Sequence, residues 1–284
     1  MTLSIIIATH DRPASLARLI ESLSKQLRRD RDEVIIAENG TPERLRLPEG
    51  APAFKHLHDR RRGKCRIQNQ AIAESRGEIV VLLDDDLTAG PSYLDAAAAF
   101  FDEHPEFAAM GGRILAAEDP AAKVGENWVY VDLPIFDHGD QVVEVRGVLG
   151  ANMAFRRSAL DKVGLFDERL GPGAAGHEEE TEMCQRLRRD GFRIGYAPGA
   201  VVYHEVDPAR ADRERFIRVS RERGRCRMLH EKHSTFEVLS KNAIAWGRLV
   251  VARSMRAGSE RIAREERRLA IAHGMFDGLG LKPK

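Results

Sequence analysis

Cysteine is scarce: Cys65, Cys184 and Cys226 stand far apart in 284 residues, too few for a disulfide framework and in no CxxC spacing that would hold a metal. Long apolar runs are missing as well. The best, at 79–83 and 243–252, are short or broken by Arg248, well below the roughly 18 residues of a bilayer span. The first apolar run, Ile5 to Ala8, has no basic segment before it and stops at His10, Asp11 and Arg12, so no targeting signal is expected. HExxH, GxSxG, Walker A and GxGxxG patterns do not occur, which disfavours zincins, α/β-hydrolases, P-loop enzymes and dinucleotide dehydrogenases. No internal repeat is visible. Together these absences lead us to expect a cytoplasmic chain in a reducing setting.

What is present is a globular composition, 43% hydrophobic and 31% charged. The net charge of +1 hides an asymmetry: residues 1–207 carry 26 Lys/Arg against 35 Asp/Glu, and residues 208–284 carry 19 against 9. We therefore expect an acidic body at 1–207, with halves at 1–100 and 101–207, followed by a basic helical extension at 208–284. The extension is dense in arginine between Arg213 and Arg227. It could serve as an acceptor-binding lid, as a homodimer contact, or as a peripheral contact with anionic membrane at the inner face. Nucleic acid is not expected, because interleaved aromatics and a recognised nucleic-acid motif are missing.

Strand and helix patterns alternate along the first hundred residues. Ile5, Ile6 and Ile7 form the continuous run of a strand covered on both faces. Leu16, Leu19, Ile20, Leu23 and Leu27 then recur at helical spacing behind Pro13. A second strand is expected at 33–37, and a loop follows with Pro42, Pro48, Gly50 and Pro52. A helix at 64–76, closed by Gly77, leads to a third strand at 78–83. The β-α-β-α-β order predicts an α/β fold whose mostly parallel, Rossmann-like sheet binds ligands at the carboxyl ends of its strands. Beyond a helix at 92–103 the pattern is irregular, up to a strand at 142–145. Later elements are a short helix from Ser158, a glycine-rich loop at 171–176, a helix at 179–189, and strands at 193–196 and 200–203.

Three acidic or imidazole groups sit where chemistry is expected. Asp84, Asp85 and Asp86 end the third strand, and adjacent carboxylates repel one another unless a cation lies near. Oxygen ligands of this kind suit Mn²⁺ or Mg²⁺, which take one or two carboxylates plus substrate phosphates. Glu178, Glu179, Glu180 and Glu182 open a helix directly after the glycine-rich loop, where the helix dipole favours negative charge and a general base is well placed. His204 ends a strand pattern and could supply an imidazole to the same place.

The stretches 4–12, 33–41, 62–69, 77–86, 150–157, 163–167, 179–186 and 200–204 together resemble, in order, the motif series of family 2 glycosyltransferases with the GT-A fold. The resemblance covers about residues 3–205. It implies an inverting transferase that moves a hexose from a nucleotide diphosphate-sugar of the UDP, dTDP or GDP type to a hydroxyl acceptor, such as a cell-surface polysaccharide or glycolipid. By this resemblance Thr9, Asp11, Arg12, Glu38, Asn39, Lys64, Arg66, Asp84 and Asp85 bind the nucleotide-sugar, with Glu38 standing where the family usually has aspartate. Asp86 and His204 hold the metal, Gly150 and Asn152 line the acceptor side, and Glu180 is the base with Glu179 as competitor. The end of the chain, 274–279, resembles the ending of transferases that build cell-surface glycans. A non-catalytic nucleotide-sugar-binding scaffold is the alternative. A sugar-phosphate nucleotidyltransferase would need a glycine-rich loop after the first strand, and Thr9-His10-Asp11-Arg12 offers none.

Overall fold

The computed structural model of the chain describes residues 1–28, 30–47 and 54–280; Pro48, Gly50 and Pro52 of the expected loop lie outside the described residues. The elements in chain order are β1 (Leu3–Thr9), α1 (Pro13–Ser24), β2 (Glu33–Asn39), β3 (Lys55–Asp59), α2 (Lys64–Glu74), β4 (Ile79–Asp84), β5 (Leu87–Ala89), α3 (Tyr93–Glu103), β6 (Phe107–Ala116), α4 (Pro120–Val124), β7 (Val143–Glu144), β8 (Asn152–Arg156), α5 (Arg157–Val163), α6 (Glu179–Arg189), β9 (Arg193–His204), α7 (Arg213–Arg227), α8 (Thr235–Ser254) and α9 (Ser259–Asp277). The described residues cluster into two compact units. One comprises Met1–Ala117, Pro134–Ala174 and Glu179–Glu205, the other Glu118–Leu133, Ala175–Glu178 and Val206–Lys284.

The first unit is built on one nine-stranded sheet in the order β3-β2-β1-β4-β8-β6-β9-β5, with β7 paired to β9. Pairing is parallel across β3, β2, β1 and β4. β8 then runs antiparallel to β4 and β6, while β6 and β9 are parallel, so the sheet is mixed. Strand alternation feeds two cores. Ile5, Ile7, Val34, Ile36, Val81 and Leu83 face the side covered by α1 and α3. Ile6, Ile35, Val80 and Leu82 face the side covered by α2, α5 and α6. The isoleucine run of β1 is apolar throughout because both its faces are covered. Each such fully buried side chain stabilises the fold by about 1.5–3 kcal/mol. The halves expected at 1–100 and 101–207 share this single sheet.

The structure departs from the sequence pattern at several elements. β3 has no apolar run and was not expected; it is an edge strand on which two histidines flank Leu57. β6 fills the stretch read as irregular, since its small residues Ala108, Ala109, Gly111 and Gly112 pack against bulkier neighbours. The two strands expected at 193–196 and 200–203 are one strand, β9. Its pairing with β6 skips from Gly112↔Ala197 to Ile114↔Val202, which lets Pro198, lacking an N–H, pass through the ladder. α2 ends at Glu74 with Ser75 extended, so Gly77 is not a left-handed cap. Gly77 lies instead where a Cβ would come within 2.5 Å of the Ser4 backbone nitrogen.

The second unit gathers α7, α8 and α9 with the earlier segments that supply acidic partners. α7 and α9 approach at Gly224 and Gly274, where a Cβ would meet the Ile271 or Arg221 carbonyl oxygen at 2.0 or 1.8 Å. Of the seven arginines of α7, four are paired with acids of the same unit. Arg213 pairs with Glu266 at 2.7 Å, Arg221 with Asp277, Arg223 with Asp132 at 2.7 Å and Arg227 with Glu178 at 3.1 Å. Asp132 and Glu178 explain why this unit takes in residues ahead of the boundary expected after Asp207.

Candidate active site

Thr9, Asn39 and Asp84 close the parallel strands β1, β2 and β4 at the same edge of the sheet. Strand carboxyl ends are where open α/β sheets place ligands, because the backbone leaves the sheet there and opens a crevice. The antiparallel partner of β5 adds the end of β9, with Leu87 opposite His204.

Each of the three consecutive aspartates is answered by a cation of the protein, Arg12 serving two of them. Asp84 lies 2.6 Å from Lys64 Nζ. Asp85 accepts from Thr9 Oγ1 at 2.7 Å and from Arg12 at 3.1 Å. Asp86 accepts from Arg12 at 2.8 Å and faces His204 Nε2 at 3.3 Å. His204 in turn has its Nδ1 2.8 Å from the Glu205 carbonyl oxygen. The repulsion inherent in the triplet is thus met by the protein's own Lys64 and Arg12. Burial pushes the Asp85 carboxyl above its usual range, and Thr9 and Arg12 offset only part of that. For Arg12 burial acts the other way, but Asp85 and Asp86 outweigh it and hold the guanidinium firmly charged.

Lys64 opens α2 and joins the aspartates to the glutamate helix. Its Nζ lies 3.7 Å from Glu179 Oε1, and both side chains are buried. Burial alone would lower the pKa of this lysine; Asp84 and Glu179 overcome that and raise it. Its backbone is fixed by Lys64 N–H donating to the Pro172 carbonyl at 2.9 Å, within the glycine-rich loop. Gly173 there has φ +84°, and a Cβ would lie 2.6 Å from the Gly63 nitrogen, so glycine is required on both counts. Gly150 faces the same place: a Cβ on it would be 3.5 Å from Glu179 Oε1, 3.6 Å from Lys64 Nζ and 3.8 Å from the Glu180 carboxyl carbon. Glu179 is buried, whereas Glu180 keeps partial access to solvent. Glu182 is committed to Arg186 at 2.8 Å, and Arg186 also donates to the carbonyls of Val163, Gly164 and Leu165.

Other expected site residues play supporting parts. Glu38 is fully buried, accepting from Thr41 Oγ1, from the Leu45 N–H at 3.0 Å and from His56 at 2.8 Å. Asn39 donates to the Thr9 carbonyl at 3.2 Å and accepts from the Gly63 N–H at 3.1 Å. These two side chains hold the turn after β2. His56 was missed by sequence reasoning; the alternation of His56 and His58 on β3 was the available signal. Arg66 pairs with Asp59 at 3.2 Å beside Arg61. Asp11 is exposed in the left-handed region, φ 53°, at the turn into α1. Asn152, expected to line the acceptor side, is instead entirely buried. Its amide accepts from Tyr93 Oη at 2.7 Å and donates to the Ala200 carbonyl at 3.1 Å, so it joins α3 to β8 and β9.

Among the described residues no three His, Cys, Asp or Glu side chains are grouped to hold a metal by themselves. Asp86 and His204 nevertheless form an adjacent carboxylate and imidazole pair at a strand end. That donor set fits a divalent cation whose remaining positions are filled by substrate phosphate oxygens.

The sequence model of glycosyl transferase family 2 matches residues 4–164. A glucosyl-dolichyl phosphate glucuronosyltransferase of Haloferax volcanii is 25% identical over 218 residues, covering 72% of this chain and 70% of its own. Among solved structures, the mannosyltransferase PcManGT of Pyrobaculum calidifontis, in complex with GDP-Man and Mn²⁺, superposes with a TM-score of 0.52. It is 16% identical, with 99% of this chain and 76% of that chain covered. Residues 1–349 of S. aureus TarS, in complex with UDP-GlcNAc, give a TM-score of 0.54 at 15% identity, with 98% and 92% covered. Both structures share the fold of this chain.

Proposed function

The chain belongs to glycosyl transferase family 2, and from that premise we propose that it transfers a hexose from a nucleotide diphosphate-sugar to a hydroxyl acceptor with inversion at the anomeric carbon. The observation that carries this reading is the convergence of Arg12, Lys64, Asp84, Asp85, Asp86 and His204 at the strand ends, with Glu180 beside Gly150. The turn held by Glu38 and Asn39 forms the wall against which the base rests, and Thr9, Arg12 and Lys64 border the diphosphate. Asp84 and Asp85 face the ribose and sugar. Asp86 and His204 would hold Mn²⁺ or Mg²⁺, which supplies charge stabilisation to the leaving diphosphate when bound.

Glu180 accepts the acceptor hydroxyl proton as the hydroxyl oxygen bonds to the anomeric carbon and the bond from that carbon to the diphosphate oxygen breaks. One base suffices for a single displacement, unlike the paired carboxylates of glycosidases. Glu180 fits the role better than Glu179, because Glu179 is buried against Lys64 while Glu180 retains solvent access. The polar, partly open setting suits a hydroxyl acceptor on a polysaccharide or glycolipid.

The test is NMR of the chain incubated with UDP-, dTDP- and GDP-hexoses, Mn²⁺ and water or an oligosaccharide as acceptor. One donor is expected to be consumed and its sugar released or transferred with inverted configuration. Retention of configuration would overturn the single-displacement reading, and a donor that binds without being consumed would identify a scaffold.

A further inference from the structure

α8 presents an apolar surface on both sides. Val238, Ala245, Leu249 and Ala252 are buried and face inward. The opposite side carries Phe236, 79% exposed, Trp246, 62%, and Met255, 67%, with Leu239, Ile244 and Val251 about half exposed between them. Single exposed apolar residues are ordinary on a protein surface, but these recur at helical spacing along the whole helix and form one continuous face. Small residues, Ser240, Ala243, Gly247 and Ser254, lie along its middle, so the large side chains project from its margins. A helix that is apolar on the side facing away from its own unit calls for a second apolar medium.

The charges beside this face specify which medium. Lys232, Lys241, Arg248 and Arg256 lie along or just beyond the helix, against Glu237 as the sole acid of the segment 232–256. Among the described residues Lys232, Arg248 and Arg256 form no ion pair, in contrast to Arg213, Arg221, Arg223 and Arg227 of α7. Two-fold pairing of this face with a second copy would bring together two surfaces of net positive charge. An anionic lipid surface complements the cations and receives the apolar side chains, with the Trp246 indole suited to the headgroup boundary. No helix among the described residues is long and apolar enough to cross a membrane.

We propose that α8 is an in-plane membrane anchor: its outward face lies in the interfacial layer of an anionic bilayer, and its cations engage the lipid phosphates. The segment that sequence reading treated as a short apolar stretch broken by Arg248 is this anchor, and Arg248 belongs to its rim. The assignment does not rest on the catalytic reading, and the test below reads binding alone.

The full chain is floated with vesicles of phosphatidylcholine, with or without phosphatidylglycerol, at low and high salt. The expected result is flotation with phosphatidylglycerol vesicles that weakens at high salt, with a blue shift of Trp246 emission in a Trp128→Phe background. Phe236→Ser with Trp246→Ser, and separately Lys241→Glu with Arg248→Glu, should each weaken partitioning about tenfold or more. Both pairs alter exposed positions, and circular dichroism checks that the fold is kept. Absence of flotation overturns the proposal, as does equal flotation with both vesicle types. Sedimentation that shows a dimer abolished by Trp246→Ser overturns it in favour of a second copy as the occupant.

Discussion

Lys64 reaches from the first turn of α2 to within 2.6 Å of the Asp84 carboxylate at the end of β4. The same ammonium faces Glu179 at 3.7 Å, so one buried cation links the strand-end aspartates to the helix that carries the proposed base. Such a link sets the distance between the strand-end aspartates and the start of α6, the proposed donor and acceptor sides. It also makes Lys64 the single group whose loss leaves carboxylates on both sides without their nearest cation.

Lys64→Met should therefore lower turnover about 100-fold or more and destabilise the chain by about 3 kcal/mol, the usual cost of breaking a buried ion pair from one side. Urea denaturation and steady-state kinetics measure the two effects. Lys64→Arg should not restore activity, because a planar guanidinium cannot reproduce the compact ammonium that meets Asp84 at 2.6 Å and Glu179 at 3.7 Å in a buried setting. Full activity in Lys64→Arg would show that charge alone, and not its placement, is what the site needs.

Glu180→Gln should reduce kcat by about 10²–10⁴ with little change in donor affinity, as expected for removal of a general base. Glu179→Gln should weaken donor binding instead, since it alters the surroundings of Lys64. Both are read from kcat and KM measured with the fold verified. If the pattern is reversed, with kcat lost only in Glu179→Gln, the base is Glu179.

Gly173→Ala should cost about 1–3 kcal/mol, because alanine is strained at φ +84° and its Cβ meets the Gly63 nitrogen. The same change should displace Pro172 and the start of α2, so turnover should fall along with thermal stability. Gly176→Ala tests the space argument: its φ is also positive, yet no heavy atom lies within 4 Å of the added Cβ. That variant should lose less stability than Gly173→Ala; an equal loss would mean that backbone conformation alone sets the cost.

Burial, aided by Arg223, lowers the His177 pKa from its usual 6.5 to about 4. A depressed folded-state pKa gives stability that is present above pH 6.5 and is lost as pH falls through about 4, because the unfolded chain takes up the proton first. Melting temperatures should fall across that window, and His177→Gln should flatten the fall. An unchanged acid limb in His177→Gln would remove this histidine from the account.

The parallel half of the sheet was legible in the sequence because buried strands and sheet-covering helices leave strong periodicities, as in Ile5 to Ile7 and Leu16 to Leu23. β3, β5 and β6 were not, for separate reasons. β3 is a polar edge, β5 is three residues long, and β6 has exchanged large side chains for glycine and alanine to admit Phe136, Val148 and Asn152 against its backbone. Within the candidate site, the aspartate run after β4, the acidic run that opens α6 and His204 stand out in the sequence by their places at strand ends and a helix start, whereas Lys64 and the choice of Glu180 as base come only from the resemblance to the family's motifs. The burial of Asn152 could not be read, since its partners Tyr93 and Ala200 are 59 and 48 residues away in sequence. The same limit applies to the arm, where the arginines of α7 find their acids at Asp132, Glu178, Glu266 and Asp277, all beyond the reach of local patterning.

The most direct measurement is calorimetric binding of UDP, GDP, dTDP and their hexose conjugates, each with Mn²⁺, Mg²⁺ or EDTA, to the wild-type chain and Asp86→Asn. One nucleotide family is expected to bind in the presence of metal, EDTA to remove the binding, and Asp86→Asn to remove it while the fold stays intact. Binding of equal strength in EDTA, or in Asp86→Asn, would contradict the role given to Asp86 and with it the proposed metal-assisted transfer.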